Sequence, residues 1–211
     1  MRADAANLRP PADVVLPERA SGVVVFAHGT GSSRHSPRNR MVAAELNRRG
    51  LGTVLVDLHT PEEESTAEEA EEQLALSADR LIGVVDWLTE HGPTADLEIG
   101  LFGASRGAAA ALIAAAARPD PVRAVVCRGG RPDLAGPALI EVSAPTLLLV
   151  GERDERVMAL NQQARATMTV TAELRVVPGA TQLFAEPGAL EQVAAEAGAW
   201  FDRYLEPRRT R

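Results

Sequence analysis

The chain contains no lysine. That excludes Schiff-base chemistry, attachment of pyridoxal phosphate and a Walker-type phosphate loop, each of which depends on a lysine amine. Cysteine is nearly absent too. Cys127 stands alone, which excludes an intramolecular disulfide and a Cys-cluster metal site and fits a reducing compartment. Aromatic residues make up 3% of the sequence, too few to build a long apolar or sugar-stacking cleft. No apolar run reaches the roughly 20 residues that a membrane span requires. The residues before Val14 include Arg2, Asp4, Arg9, Pro10 and Pro11 and lack the apolar block of a signal peptide. Basic residues are outnumbered, 22 against 29 acids, for a net charge of −7, and no basic block offers a surface for nucleic acid. Arg208, Arg209 and Arg211 read as a frayed tail. These absences predict a cytoplasmic, soluble protein with no nucleic-acid or membrane partner, as a monomer or homodimer, with no cofactor and no metal.

What remains is a chain of 211 residues, 45% hydrophobic, long enough for one substantial core. Residues 1–12 are expected to be a loose segment, 13–206 one domain and 207–211 a frayed tail. Continuous apolar runs of β-branched character, at residues 22–27, 52–58, 97–102, 122–127, 145–150 and 173–177, have the pattern of strands buried on both faces. Residues 14–16 add a short edge strand. Between the strands lie helical patterns at 37–49, 67–91, 107–117 and 155–168, and a closing helix carries Leu190, Val193, Ala197, Trp200, Phe201 and Tyr204 on one face. Strands alternating with helices predict an α/β fold: a doubly wound, mostly parallel sheet with helices on both faces and no cap domain. In such sheets ligands bind beyond the carboxyl ends of the strands.

The chain is organised around Ile99 to Ala110. An apolar strand breaks at Gly103, turns through Ser105 and Arg106, and continues as an Ala-rich helix from Gly107. A serine on so sharp a strand-to-helix turn needs very small residues two positions before and two after, which Gly103 and Gly107 supply. The first N–H groups of the following helix, starting with Arg106, would face an anion developing beside Ser105. The same G-x-S-x-G pattern also fits a strand and helix packed closely for steric reasons alone.

Four segments extend the pattern: His28-Gly29-Thr30-Gly31 after the first long strand, Gly103-Ala104-Ser105-Arg106-Gly107, Gly151-Glu152-Arg153-Asp154, and Pro178-Gly179-Ala180-Thr181 before the last helix. With these the chain resembles the α/β hydrolases, in particular the small, capless dienelactone-hydrolase-like branch, from about Val23 to Leu205. The resemblance implies a serine-type hydrolase of a small ester, lactone or thioester. Ser105 would be the nucleophile, Asp154 the acid, and the backbone N–H groups of Thr30 and Arg106 the oxyanion hole. Asp154 also fits a helix N-cap. His28 would shape its loop, and Leu183 and Phe184 would line the substrate site.

The pattern breaks at the third catalytic member. The family's His falls on Gln182, whose amide can accept and donate hydrogen bonds but cannot take a proton. Activity of this sequence is therefore expected to be impaired. Of the other histidines, His35 and His59 fall on loops at the ligand end of the sheet and are candidate pocket residues, while His91 closes a long helix at the opposite end. Arg106 replaces the small residue expected after the nucleophile. With Arg34, Arg128 and Arg131 on neighbouring loops it predicts a small anionic substrate, carboxylate-bearing, provided that Glu62, Glu63, Glu64 and Asp133 do not neutralise those cations. Two alternatives keep other chemistry open. One is a non-hydrolytic relative that binds a small molecule or acts as a lyase, isomerase or cyclase. The other is a dinucleotide-binding module built on Gly29-Thr30-Gly31 with Asp57 ending the next strand, although Arg34 stands where the third glycine belongs.

Overall fold

The computed structural model describes residues 11–29, 31–60, 63 and 70–205. Outside them lie residues 1–10 of the expected loose segment, Thr30, Glu62 and Glu64, the start of the expected helix at 67, and the Arg-rich tail. Seven strands form one sheet: β1 (Ala12–Val15), β2 (Val23–Ala27), β3 (Gly52–Val56), β4 (Ile99–Ala104), β5 (Val122–Arg128), β6 (Thr146–Gly151) and β7 (Ala172–Val177). Their order is β1-β3-β2-β4-β5-β6-β7. Only β1 runs antiparallel, pairing Val14 with Val54; every other neighbour is parallel. Among the described residues five α-helices pack on the sheet: α1 (Pro37–Arg48), α2 (Ala70–Glu90), α3 (Gly107–Ala117), α4 (Glu155–Thr167) and α5 (Ala189–Tyr204).

Alternation along each strand sends side chains to two cores. Val23, Val25 and Ala27 of β2 pack with Ile99 and Leu101 of β4 against α2, α3 and α4. Val24, Phe26 and Phe102 face α1 and α5, where Leu46, Val193, Trp200 and Phe201 meet them. The inner strands β2, β3, β4 and β6 are buried along their whole length, and the edge strands β1 and β7 are half-exposed. Continuous apolar runs in the middle and mixed ones at the rim follow from covering a parallel sheet on both faces. Gly100 lets α5 come close: a Cβ there would lie 2.6 Å from the Phe201 ring.

One element escaped the sequence reading. Just past Arg131, where the sequence pattern predicts no element, the chain forms a 3₁₀ segment at Pro132–Ile140, kinked at Gly136. Two prolines and a glycine obscure its helical pattern, yet Ala135 and Leu139 are buried against the α3 side of the core. Among the described residues no cap domain interrupts the sheet connections, and no helix is long and apolar enough to cross a membrane.

Candidate active site

β4 ends at Ala104 and α3 begins at Gly107, which leaves Ser105 and Arg106 to make the whole turn. Ser105 takes φ 53°, the left-handed region that an L-residue enters at a cost of about 1–2 kcal/mol. The surrounding chain enforces it. A Cβ on Gly103 would lie 2.5 Å from Ala108 Cα, and one on Gly107 would collide with the Ala27 carbonyl. The Ser105 N–H donates to Arg128 O (3.4 Å), and Ser105 O accepts from the N–H groups of Ala108 (3.2 Å) and Arg131 (3.0 Å). The side chain is left exposed.

The loop after β2 closes against this turn. A Cβ on Gly29 would stand 3.3 Å from Arg106 N and 3.4 Å from Ser105 Oγ, so the backbone of that loop approaches the serine as closely as a glycine allows. His28 fixes the loop: Nδ1 donates to Gly29 O (3.0 Å), and Nε2 accepts from the Leu58 N–H (3.3 Å). With both ring nitrogens engaged, His28 serves the loop and not the serine. Thr30, the expected second oxyanion donor, lies outside the described residues.

Gln182 arrives from the loop between β7 and α5. Thr181 N–H donates to Glu186 Oε2 (3.1 Å), Gly179 N–H to Glu152 Oε2 (2.7 Å) and Arg153 N–H to Ala180 O (2.9 Å), so this loop is tied to the one carrying Asp154. The Thr181 hydroxyl, and after it the backbone N–H groups of Glu186 and Thr181, draw the Glu186 carboxyl below its usual range. A Cβ on Gly129, itself at φ 50°, would lie 2.9 Å from Gln182 O, so the loop after β5 also bears on it. Asp154 caps α4, accepting the Val157 N–H on Oδ1 (3.3 Å), while its Oδ2 is buried without a partner. The capping role and an acid with one oxygen to spare thus coexist. Among the described residues no hydrogen bond joins Ser105, Asp154 and Gln182.

A cavity of about 210 Å³ opens at the serine, lined by His28, Gly29, Gly31, Ser32, Arg38, Ala104, Ser105, Arg128, Gly129, Gln182 and Leu183. Several expected pocket residues lie elsewhere. His35 is exposed, with its N–H on Ser33 Oγ (3.2 Å). His59 is buried against α2, where Nε2 donates to Ser77 Oγ (2.6 Å), because Ser77 already gives its proton to Gln73 O. Phe184 is a core residue. Arg131 pairs with Asp133 (2.7 Å) and Arg34 with Asp57 and Asp13, so these cations are neutralised; the Arg106 side chain does not line the cavity. Asp57, the acid a dinucleotide module would need for its ribose, is occupied by that arginine.

Sequence reasoning missed Arg38, in the first turn of α1. Its Nε is buried without a partner, as is Nη1 of Arg128, and among the described residues no Asp or Glu lines the cavity they share. Arg128 is 8% exposed; burial, and to a lesser extent the charge of Arg38, push its guanidinium down to about 10. One signal was available: α1 carries no acid in its first turn, where one is favoured, and has an arginine instead. Among the described residues no three His, Cys, Asp or Glu side chains cluster to hold a metal ion.

Residues 22–205 match the family of the alpha/beta hydrolase fold. The chain belongs to the α/β hydrolases. A dienelactone hydrolase from Anabaena variabilis is 50% identical and superposes with a TM-score of 0.88 over 92% of each chain. Est1E from Butyrivibrio proteoclasticus, at 16% identity, shares the fold with a TM-score of 0.75 over 91% of this α/β hydrolase and 93% of that chain. Proteins from two strains of Mycobacterium tuberculosis, each named "Putative phosphoribosyl transferase", are 56% identical over 192 residues. That match takes 91% of this chain but only 43% of theirs, so the chain spans less than half the length of these curated relatives. The matched family and the solved neighbours agree on the fold.

Proposed function

We propose that this α/β hydrolase is a serine-type enzyme of the dienelactone hydrolase and esterase kind, acting on a small ester, lactone or thioester, with a crippled proton-transfer step. The observation that carries this is Ser105 held at φ 53° on a strand-to-helix turn, on the wall of a 210 Å³ cavity. A strained serine at that place supports a nucleophile presented to a carbonyl.

In this reaction Ser105 Oγ attacks the carbonyl carbon, and the carbonyl oxygen takes the developing negative charge. The N–H of Arg106, and that of Thr30, would hold the oxyanion. The alcohol, thiol or ring oxygen then leaves with the electron pair of the broken bond and takes up the proton that the serine gives up, and water next attacks the acyl-serine ester, releasing the acid and returning a proton to Ser105. As the new C–O bond forms, the serine must release its proton. Gln182 can accept a hydrogen bond from the hydroxyl but cannot take that proton. Asp154, with its unpartnered Oδ2, suits the task of orienting an imidazole at position 182, which the chain does not supply. Losing the histidine of such a triad costs about 10⁶ in turnover, about 8 kcal/mol of barrier. Binding and the oxyanion hole alone still leave roughly 10³–10⁴ over water.

The experiment is hydrolysis of p-nitrophenyl acetate by the chain and by Gln182→His. Slow or undetectable turnover that rises at least a thousandfold in the variant supports the proposal. Full activity of the chain as it stands, unchanged in Gln182→Ala, would overturn it. The missing proton acceptor also favours a second reading, a binder or a lyase, isomerase or cyclase that uses the oxyanion hole without acyl transfer. A folded Gln182→His variant with no ester hydrolysis decides for that reading.

A further inference from the structure

Two guanidinium groups share the Ser105 cavity, and among the described residues no carboxylate balances them. Arg128 is almost fully buried at the end of β5, and its Nη1 has no hydrogen-bond partner. Arg38 lines the same cavity, and its Nε is buried without a partner. Arg34, Arg80, Arg118, Arg131 and Arg175, by comparison, each hold a carboxylate. Burying a cation unpaired is costly, and burying two like charges within reach of one another is more so.

The backbone adds charge of the same sign. Arg38 sits in the first turn of α1, on the positive end of the helix dipole, where a cation is disfavoured. α3 starts just behind Ser105, again with no acid in its first turn. A cavity with two guanidinium forks, two helix N-termini and, among the described residues, no carboxylate on its wall is built for an anion, and its charge is matched by a dianion rather than a monoanion.

We propose that Arg38 and Arg128 form a subsite for a phosphate monoester carried by the small molecule whose carbonyl meets Ser105. The subsite names the substrate class of the proposed hydrolase and rests on that proposal for its carbonyl, but anion binding itself does not depend on catalysis. The forks take the phosphate oxygens in two-point contacts. The phosphate then anchors the ligand on the side of the cavity formed by β5 and α1, leaving the Gln182 and Leu183 side for the acyl part. Leu183, 53% exposed at the cavity mouth, offers that part an apolar contact.

The test is calorimetric titration of the full chain with inorganic phosphate and with acetate at matched ionic strength, repeated on Arg38→Gln, Arg128→Met and Ser105→Ala. Phosphate is expected to bind at least tenfold more tightly than acetate, to lose tenfold or more in each arginine variant, and to keep its affinity in Ser105→Ala. In Gln182→His, phosphate should compete with p-nitrophenyl acetate. Equal affinity for phosphate and acetate, or phosphate binding untouched in Arg38→Gln, overturns the subsite. Arg38 is partly exposed, so that variant reports even if Arg128→Met fails to fold. Phosphate binding that follows the arginines while Gln182→His stays inert toward esters would sink the hydrolase and leave the subsite standing. Ester hydrolysis without phosphate selectivity would do the reverse.

Discussion

Replacing Arg128 by methionine should stabilise this protein. The guanidinium is 8% exposed, its Nη1 has no partner, and burial together with Arg38 depresses its proton affinity to about 10. Each tenfold loss of proton affinity corresponds to about 1.4 kcal/mol, so holding the charge in the folded state costs about 3 kcal/mol. A cation with a lowered affinity in the folded state bears this cost in full below pH 10 and sheds it only above. At pH 7 the whole cost is present. Methionine keeps most of the length and removes the charge. Against the gain stand lost van der Waals contacts and some empty space around a slimmer side chain, about 1 kcal/mol. The net expectation is about 2 kcal/mol, which for a domain of this size raises Tm by about 4–8 °C. Thermal and urea unfolding followed by circular dichroism would measure it. A variant destabilised by more than about 1 kcal/mol would refute the reasoning, since Arg128 would then be holding the structure together rather than straining it.

Other parts of the structure carry expectations of their own. A Cβ on Gly107 meets the Ala27 carbonyl and one on Gly103 meets Ala108, so Gly103→Ala and Gly107→Ala should each cost at least about 2 kcal/mol in urea unfolding; native stability in either would deny that the turn is sterically closed. Glu63 receives both Arg80 guanidinium nitrogens (2.6 and 2.7 Å) and the Thr60 N–H, which pull its carboxyl down to about 2. A lowered carboxylate contributes stability above its ordinary value near 4.5 and loses it as pH falls towards 2. The pair is partly exposed, so the loss is no more than about 1 kcal/mol. Glu63→Gln should flatten this limb of the stability curve between pH 5 and pH 2 (about 1 kcal/mol at most), and an unchanged limb would contradict the pairing.

The sequence makes some of this plain and hides the rest for definite reasons. Gly103 and Gly107 bracket Ser105 by a rule of steric closeness, so the turn is visible as local spelling, and the apolar runs of β2 to β6 are visible because a parallel sheet is buried on both faces. The loops are harder. Whether Arg34, Arg106, Arg128 or Arg131 carries the charge of the site depends on which carboxylates fold back onto them. Asp57 and Asp133 claim two, the Arg106 side chain stays off the cavity wall, and only Arg128 keeps its charge inside. Arg38 reads in one dimension as a solvated helix residue, because the cavity it lines is completed by the loops after β2 and β5, far apart in sequence. The edge strand β1 runs antiparallel from Ala12, two residues earlier than its apolar residues suggest, since pairing with β3 continues past the hydrophobic run. His59 illustrates the same limit: its position at the carboxyl end of the sheet is right, yet Ser77 on α2 draws its ring away from the site.

The central claim is that Ser105 is a competent nucleophile lacking only its base. Mass-spectrometric mapping of Gln182→His quenched during turnover of p-nitrophenyl acetate tests it most directly. An acetyl group on the peptide containing Ser105, absent from the Gln182→His/Ser105→Ala double variant, is the predicted result. Hydrolysis that persists in that double variant, or an acetyl group found only on another residue, would contradict it.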